Sequence, residues 1–541
     1  MSKLIPILVA LILISCTTLT NEVAVSLEYP VLPVLTQKEA NPMVKITLVP
    51  SSKDRKMILK KIAFRLDATN KDDVVTVGLY HANNEGLLDS EGLIGYTTNI
   101  ANKIVIKSDL TLNDTLVLWG AIKLKPHVKL SHRYILRCTK ISTDKGEANL
   151  PDVIAPKLRA GVALRQHMQD GIHTSRIPGL ATTLHGTLLA IYDARYDSSR
   201  DLQGNIDICM NRSLDGGETW EPIQVVLDMK KWGGLPEKYN GVSDANILVD
   251  TNTGNIYVAG LWMHGVLDNQ TGKWVKGLTN DSIRWIHQWK GKGSQPGLDV
   301  KQTCQFLITK STDDGLTWSD PMNITRTCKR EEWWLYAPAP GHGITLANGT
   351  LVIPTQGRDA TGQPFSNIMW SKDGGKSWTA SNPAFYDVTE CMAVQLSNGN
   401  IMLNMRYNKN RKNHVSNGRC VFITNDLGES WVEHPTSRNA LIEPTCMASI
   451  HKHIFYKDNK QHSILLFLNP EAIDSREHLT LKVSYDDGMT WPNEKKILLD
   501  EYKSRGYSCI TSIDENRIGI LYESSQADIV FQQINLQELL D

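Results

Sequence analysis

The chain has 541 residues, which is too long for one ordinary domain and predicts at least two folding units. Its 58 Lys and Arg residues balance its 58 Asp and Glu residues, which argues against nucleic acid or an acidic membrane surface as a general partner. Because the charges balance, any cationic site must be concentrated locally. A hydrophobic content of 41% suffices for sizeable cores.

The chain begins with an apolar stretch, MSKLIPILVALILISC, that is too short for a comfortable transmembrane span. We interpret residues 1–22 as a secretory signal region. Its LISC ending resembles the cleavage box of bacterial lipoproteins, which implies a lipid on Cys16 as the only membrane contact. The expected location is then the periplasm or the outer membrane of a bacterium. A plain signal peptide is the alternative.

Residues 23–156 contain seven β-branched segments of roughly alternating character, separated by clusters of Asn, Asp, Gly and Lys. Segments such as VKITLVP, VVTVGLYHA and TLVLWGAIKL predict the strands of a β-sandwich. This module shows no catalytic spacing, and a carbohydrate-binding role for it is left open. Trp119 and Tyr80 could stack on a sugar, but we interpret them as core residues.

Five copies of one polar turn follow in the rest of the chain. They read SLDGGETW at 213–220, STDDGLTW at 311–318, SKDGGKSW at 371–378, TNDLGESW at 424–431 and SYDDGMTW at 484–491. Their Asp and Ser side chains can bond to the turn's own backbone, and Gly accepts a positive φ, so the copies are predicted to be structural. A repeat of about 60 residues with strand-rich sequence between the copies favours the blades of a β-propeller.

Three strand candidates remain after the last turn: GYSCITSI, RIGILYES and DIVFQQI. A four-stranded blade then lacks one strand, which the segment near 160–185 can supply by joining the two ends of the ring. The sequence therefore predicts an all-β protein, with a six-bladed β-propeller over 157–541 preceded by the β-sandwich.

The eight cysteines from Cys138 onward show no CxxC spacing, which argues against zinc and against a redox site. Several stand in apolar runs and are expected to be buried free thiols. His451 and His453 have the best spacing for a metal ligand pair, but we interpret them as solvent-facing residues of a strand. No metal and no cofactor are predicted.

The repeated turn is the Asp box, and with it the chain from about residue 160 resembles the bacterial exo-α-sialidases (neuraminidases) of glycoside hydrolase family 33. Asp boxes also occur in other propellers, so the single-copy motifs decide. Arg176-Ile177-Pro178 is similar to the Arg-Ile-Pro motif of these enzymes, although Ser175 stands where an aromatic residue is usual. By this match Arg176 is one of three arginines that grip the substrate carboxylate, with Arg406 in NMRYN and Arg476 in DSREH as the others.

The resemblance also implies the catalytic residues. Tyr507 in RGYSC matches the nucleophile and Glu390 in TECMAV the buried glutamate, while Asp201 falls where the family keeps its acid/base, with Asp197 as the alternative. By the same match Arg195 would line the pocket near the sugar's C4, and Glu523 in ILYESS would support the first arginine. Gln395 stands where the family often has another acidic residue, so no catalytic role is assigned to it.

These residue types suit the cleavage of sialic acid, whose anomeric carbon carries a carboxylate. Three guanidiniums offer planar, permanently charged donors for that group. A carboxylate nucleophile would be repelled by it, whereas a neutral tyrosine would not, and sialidases depart from the usual scheme of two carboxylates. The phenol, with a pKa of about 10, needs Glu390 as a base. Asp201 would protonate the leaving oxygen and then activate water, and two displacements retain configuration.

The predicted function is the release of terminal α-linked sialic acid from glycoproteins, glycolipids and oligosaccharides. A trans-sialidase or an intramolecular trans-sialidase shares these motifs, because competition with water depends on details of the pocket. A catalytically inactive sialic-acid-binding propeller is the alternative from another class, although binding alone would not need Tyr507, Glu390 and Asp201 together. The expected partners are sialylated glycoconjugates, and the expected state is a monomer.

Overall fold

The computed structural model describes residues 22–540 except for 53–55, 203, 234–236, 264–278, 281–282, 285–293, 301 and 413–416. Over these ranges the protein is all-β. Short helical turns occur at Lys71–Asp73, Gln169–Gly171, Glu237–Tyr239, Thr325–Cys328, Asn408–Lys412, Asn493–Lys495 and Gln537–Leu540. Among the described residues no helix is long and apolar enough to cross a membrane. Residues 1–21, nearly all of the predicted signal region and Cys16 with it, lie outside the described ranges.

Two antiparallel sheets in the N-terminal part of the chain bury their facing sides in one core. The first has the spatial order Val23–Glu28, Asn41–Pro50, Leu116–Leu124, Val74–Ala82 and Leu88–Thr97. The second has the order Ile104–Leu112, Met57–Ala68 and Arg133–Thr143, with Gly146–Glu147 paired to the last strand. All seven predicted segments are strands, because their alternating residues place one side of each strand in the core. Val23–Glu28 is a further strand that is not among the predicted segments.

Six sheets follow in chain order. The first contains Thr174–Thr182, Leu188–Arg195, Ile206–Ser213 and Gln224–Leu227. The second contains Val242–Val249, Ile256–Trp262, Gln305–Ser311, Met322–Asn323 and Gly341–His342. The third contains Leu335–Pro338, Ile344–Thr345, Leu351–Arg358, Pro364–Ser371, Thr379–Ala380 and Phe385–Tyr386. Thr279–Asn280 and Ile283–Arg284 form a separate pair.

The fourth sheet contains Val388–Gln395, Ile401–Tyr407, Cys420–Thr424 and Val432–Glu433. The fifth contains Ser449–Lys457, Lys460–Pro470, Leu479–Ser484 and Ile497–Asp500. The sixth contains Ser508–Asp514, Arg517–Tyr522, Ile529–Asn535 and Leu158–Arg165. Leu188–Arg195, in the middle of the first sheet, is buried at every residue because neighbouring sheets cover both faces.

The inner strands of successive sheets contact one another around a closed ring. The ring closes where Ser508–Asp514 of the sixth sheet contacts Thr174–Thr182 of the first. Leu158–Arg165 pairs antiparallel with Ile529–Asn535 and completes the sixth sheet. The sequence predicts the closing strand in the segment near 160–185, and the observed strand lies at the beginning of that segment. The resulting arrangement is propeller-like.

In each of the first five sheets, one repeated turn joins a strand to the edge strand that follows it in the chain. In the turn at 311–318, the Gly315 N–H donates to Ser311 Oγ at 2.9 Å and the Thr317 N–H donates to Asp313 Oδ1 at 2.9 Å. Gly315 has a φ of 79°, which glycine adopts without strain. The same two bonds recur in the other four turns. The sixth sheet has no loop of this kind because its third and fourth strands come from opposite ends of the ring.

Hydrogen bonds cross the boundary that the sequence predicts near residue 156. Leu158 and Arg159 of the closing strand pair with Tyr134 and Arg133 of the second N-terminal sheet. Glu538 accepts hydrogen bonds from Arg133 and Arg159, at 3.0 and 2.5 Å in the closest contacts. One continuous sheet therefore belongs to both parts of the protein.

The two histidines at 451 and 453 lie against the sixth sheet. His453 is buried, and its Nδ1 lies 2.8 Å from Ser512 Oγ, while His451 Nε2 lies 2.9 Å from the same oxygen. The prediction that both histidines face solvent is therefore wrong, because Ser508–Asp514 packs against their strand. Within the described ranges, no group of three or more His, Cys, Asp or Glu is arranged to hold a metal ion.

The predictions for the cysteines and Trp119 agree with the structure, whereas Tyr80 is not fully buried. The eight cysteines from Cys138 onward are all buried free thiols. Trp119 is 1% exposed and donates its indole N–H to the Gly86 carbonyl at 3.1 Å, so it is a core residue. Tyr80, on the same sheet, is half-buried.

Candidate active site

Three arginines from different sheets line one cavity of about 390 Å³. Arg176 comes from the first sheet and Arg406 from the fourth, while Arg476 lies in the loop before Leu479–Ser484 of the fifth. The guanidinium carbons of Arg176 and Arg476 lie 5.3 and 5.6 Å from the ring centre of Tyr507. Closure of the ring therefore gathers three permanent positive charges around one phenol.

Tyr507, Glu390 and Arg406 form a buried hydrogen-bonded group in this cavity. The Tyr507 hydroxyl donates to Glu390 Oε1, and Arg406 donates to Glu390 Oε2. Arg406 Nη1 also lies 3.1 Å from the Tyr507 oxygen. Burial, and then the Glu390 charge, raises the pKa of Tyr507 well above its ordinary value, while Arg406 and Arg476 oppose this. The phenol is therefore neutral, and its proton already points at a carboxylate.

Glu523 lies behind this group and holds both Arg176 and Tyr507. Its Oε1 accepts from Arg176 Nε at 2.8 Å, and its Oε2 from Arg176 Nη2 at 3.2 Å. The backbone N–H groups of Ile177 and Tyr507 donate to the same carboxylate, each at 3.0 Å. Burial raises the pKa of Glu523, but the Arg176 charge outweighs it and the net pKa is lowered. Glu523 therefore stays ionised and orients the arginine and the tyrosine backbone together.

Asp201 stands at the edge of the cavity, in the loop after Leu188–Arg195. Its Oδ1 lies 2.5 Å from Arg195 Nη1 and 3.7 Å from Arg176 Nη1. Burial raises the pKa of Asp201, but these two guanidiniums outweigh it and the net pKa is lowered. Asp197, the alternative acid/base, is not among the residues that line the cavity, and its Oδ2 accepts from the Asn205 N–H at 3.3 Å.

Arg195 lies behind the cavity wall and is 1% exposed. Besides Asp201, its guanidinium bonds to Asp193, with Nη2 and Oδ2 2.8 Å apart. Burial raises the pKa of Asp193 to about 6, against the opposing effects of Arg195 and Ser243. The structure thus places Arg195 as a support for Asp201, and its contact with the sugar's C4 stays a prediction.

Irregular strand pairing directs three side chains into the cavity. The pairing register shifts between Arg176 and Gly179 in the first sheet, between Ser243 and Asn246 in the second, and between Val388 and Cys391 in the fourth. Such bulges re-aim side chains that a regular strand would send between the sheets. Arg176, Asp244 and Glu390 each lie within or at the edge of one of these shifts.

Several residues that line the cavity are not among those predicted from the sequence, among them Asp244, Gln356, Arg358 and Arg411. Asp244 has a φ of 58° and accepts from Gln356 Nε2 at 3.0 Å. Burial, and then the Glu390 charge, raises the pKa of Asp244 well above its ordinary value. An aspartate can adopt a positive φ, but nothing in the local sequence predicts that Asp244 does so.

Comparisons with known proteins identify relatives of this chain. The family of BNR repeat-like domains matches residues 177–496, more than half of the chain. A sialidase of Bacteroides fragilis is 37% identical over 540 residues, covering 94% of each chain. A Hadza microbial sialidase of known structure has a TM-score of 0.83 and 32% identity, covering 95% of this chain and 99% of its own. The intramolecular trans-sialidase of Ruminococcus gnavus shares the fold alone, with a TM-score of 0.52, 18% identity and coverage of 69% of this chain and 97% of its own.

The propeller-like fold and these relatives define a glycoside hydrolase. The chain belongs to the bacterial exo-α-sialidases (neuraminidases) of the kind found in glycoside hydrolase family 33.

Proposed function

We propose that this enzyme hydrolyses terminal α-ketosidically linked sialic acid with retention of configuration. The observation that carries the proposal is the Tyr507 hydroxyl, which donates to Glu390 inside a cavity lined by Arg176, Arg406 and Arg476. A neutral nucleophile among three cations suits a substrate whose reacting carbon carries a carboxylate.

In the first displacement the Tyr507 oxygen bonds to the anomeric carbon and its proton passes to Glu390. The bond from that carbon to the leaving oxygen breaks, and Asp201 gives this oxygen its proton. In the second displacement Asp201 takes a proton from water, whose oxygen attacks the same carbon. The bond to Tyr507 breaks, and the phenolate recovers its proton from Glu390.

Substrate binding itself can prepare Asp201 as an acid. In the free cavity, the charges of Arg195 and Arg176 keep the pKa of Asp201 low. A substrate carboxylate that engages Arg176 neutralises part of this positive field, which raises the pKa of Asp201. Protonated Asp201 is then available where the leaving oxygen needs it.

The finer organisation belongs to the same proposal. We assign the six ring sheets to six propeller blades, the repeated turns to Asp boxes, and the N-terminal module to a β-sandwich, with the division near residue 156. We further propose a monomer that is exported and carries its lipid on Cys16. Mass spectrometry of the mature N-terminus tests the last assignment, and an unmodified start downstream of Cys16 would refute it.

The function is tested with a fluorogenic sialoside and identification of the released sugar. Free sialic acid supports hydrolysis, whereas transfer to an acceptor or an anhydro product would identify a trans-sialidase or an intramolecular trans-sialidase. Binding without turnover would identify the inactive sialic-acid-binding alternative.

The roles of the residues need a second measurement. A fluorinated sialic acid analogue that slows the second displacement should leave its sugar on the peptide RGYSCITSI, and an adduct on Asp201 or Glu390 would overturn the assignment. Asp201→Ala should reduce activity least on substrates whose leaving group departs easily as an anion, because such groups need no proton. An equal loss on all leaving groups would remove Asp201 from the acid role.

A further inference from the structure

Arg419 and Glu443 form an ion pair that is buried completely, outside the residues that line the cavity. Arg419 Nη1 and Glu443 Oε2 are 2.7 Å apart, and both side chains are 0% exposed. A buried ion pair is weak evidence for stability, because loss of hydration offsets much of the attraction. The contacts that the pair makes with backbone groups give it a more specific role.

Glu443 holds the end of the strand that carries Arg406. Its Oε1 accepts from the Tyr407 N–H at 2.8 Å, directly after Arg406 in the chain. The same oxygen accepts from Asn410 Nδ2 at 2.8 Å, which ties down the turn after the strand. On the other side, Arg419 Nε donates to Asn404 Oδ1 at 2.7 Å, two residues before Arg406.

The pair also holds the backbone that receives Arg476. The Cys446 N–H donates to Glu443 Oε2 at 3.3 Å, and the Cys446 carbonyl accepts from Arg419 Nη1 at 2.7 Å. The preceding residue, Thr445, has a φ of 53°, which costs a β-branched residue free energy and persists only when neighbouring contacts enforce it. The Thr445 carbonyl accepts from Arg476 Nη2 at 3.4 Å.

We propose that Arg419 and Glu443 are positioning residues for two of the three substrate-binding arginines. One ion pair sets the backbone beside Arg406 and the left-handed backbone that orients Arg476, so the spacing between the two guanidiniums depends on it. This inference rests on the proposed function, in which those arginines grip the substrate carboxylate.

The test compares inhibition by sialic acid with inhibition by its methyl ester, which lacks the carboxylate charge. We expect the double variant Arg419→Gln, Glu443→Gln to raise the inhibition constant of sialic acid about tenfold, which is the effect of losing roughly one charge-assisted hydrogen bond. The inhibition constant of the methyl ester should stay nearly unchanged. KM should rise more than kcat falls. The Asn404 carbonyl also accepts from Arg419 Nη2, at 3.3 Å. Arg419→Lys should give an intermediate loss, since a lysine cannot reach all four acceptors of the guanidinium.

The control removes another arginine–glutamate pair, with Arg212→Gln and Glu221→Gln. That pair, 2.8 Å apart, is more exposed than Arg419–Glu443 and lies outside the cavity lining, so its loss should not change the ratio of the two inhibition constants. An unchanged ratio in the Arg419–Glu443 double variant would overturn the inference. If that variant fails to fold, an unchanged ratio in Arg419→Lys overturns it instead. If sialic acid and its methyl ester inhibit the wild-type enzyme equally, the proposed binding of the substrate carboxylate by the arginines is refuted, and the inference with it.

Discussion

The Tyr507 hydroxyl and the Glu390 carboxylate share one hydrogen bond inside the protein, and each depends on the other. Because burial and the Glu390 charge raise the pKa of Tyr507, the phenol does not ionise by itself at neutral pH. In the proposed mechanism its attack therefore has to be accompanied by proton transfer to Glu390. At the residue scale, the proposed base and nucleophile would then act as one unit.

If Tyr507 and Glu390 act together, the losses of activity in their single variants should not add in the double variant. We expect Tyr507→Phe and Glu390→Gln each to lower kcat/KM by on the order of 10³-fold, and the double variant to lose little more than either single one. Steady-state kinetics on one fluorogenic sialoside measure all three, with the exposed Tyr456→Phe as the control that should retain activity. Losses that multiply in the double variant would show that the two residues act independently.

At the scale of elements, the repeated turns are stabilised by an ionised aspartate. Hydrogen bonds, first from the Thr317 hydroxyl and then from its N–H, lower the pKa of Asp313 to about 2. A carboxylate whose pKa is lowered in the folded state stabilises that state above its unfolded pKa of about 4, and the contribution is lost as the pH falls from about 4 to about 2.

We therefore expect Asp313→Asn to lower the melting temperature at pH 7 by about 1–2 °C, because an amide nitrogen replaces one of the two accepting oxygens. The difference from the wild type should shrink as the pH approaches 2. Calorimetry across this range measures it, with Asp320→Asn, an exposed aspartate in the same loop, as the control. A difference that does not depend on pH would contradict the assigned role of the charge.

Two histidines, His451 and His453, lie where the inner strands of the fifth and sixth sheets meet, and we expect acid to destabilise this contact. Burial, and then the neighbouring His342 and His453, lowers the pKa of His451, and burial also lowers the pKa of His453 while Asp514 opposes it. Histidines with a lowered pKa in the folded state stabilise it above their unfolded pKa of about 6.5, and this contribution is lost as the pH falls below that value.

His451→Gln removes one of these groups and keeps an amide that can still donate to Ser512. The fall in melting temperature between pH 7 and pH 5 should therefore be smaller in this variant than in the wild type. Thermal unfolding over that range provides the measurement, and His185→Gln, an exposed histidine, should follow the wild type. An equal pH dependence in His451→Gln and the wild type would place the acid sensitivity elsewhere.

At the scale of the whole molecule, the closing strand serves two structures at once. Leu158–Arg165 completes the sixth sheet beside Ile529–Asn535, and its first residues pair with Arg133–Thr143 of the N-terminal module. Glu538 stabilises this junction by accepting hydrogen bonds from both Arg133 and Arg159. The ring and the N-terminal module should therefore depend on each other for stability.

We expect Glu538→Gln to lower the melting temperature and to speed amide hydrogen exchange in 133–143 and 158–165. The change leaves two neighbouring arginines without the carboxylate that separates their charges. Because Glu538 does not line the cavity, kcat/KM at low temperature should stay near the wild-type value. The exposed Glu494→Gln is the control. Unchanged exchange in both segments would mean that the junction does not depend on Glu538.

The sequence by itself determined the all-β class, the seven N-terminal strands, the five turns and the need for a closing strand from the segment near 160–185. Alternation and turn chemistry act within a few residues, so they can be detected without knowing what each strand packs against. The motifs also named Tyr507, Glu390, Asp201 and the three arginines, all of which line one cavity. Only the tertiary structure decided that Arg195 lies behind Asp201, that His453 is buried, and that Asp244 adopts a positive φ. It alone showed the sheet shared across residue 156 and the pair Arg419–Glu443. These features depend on contacts between strands far apart in the chain, and no local pattern encodes such contacts.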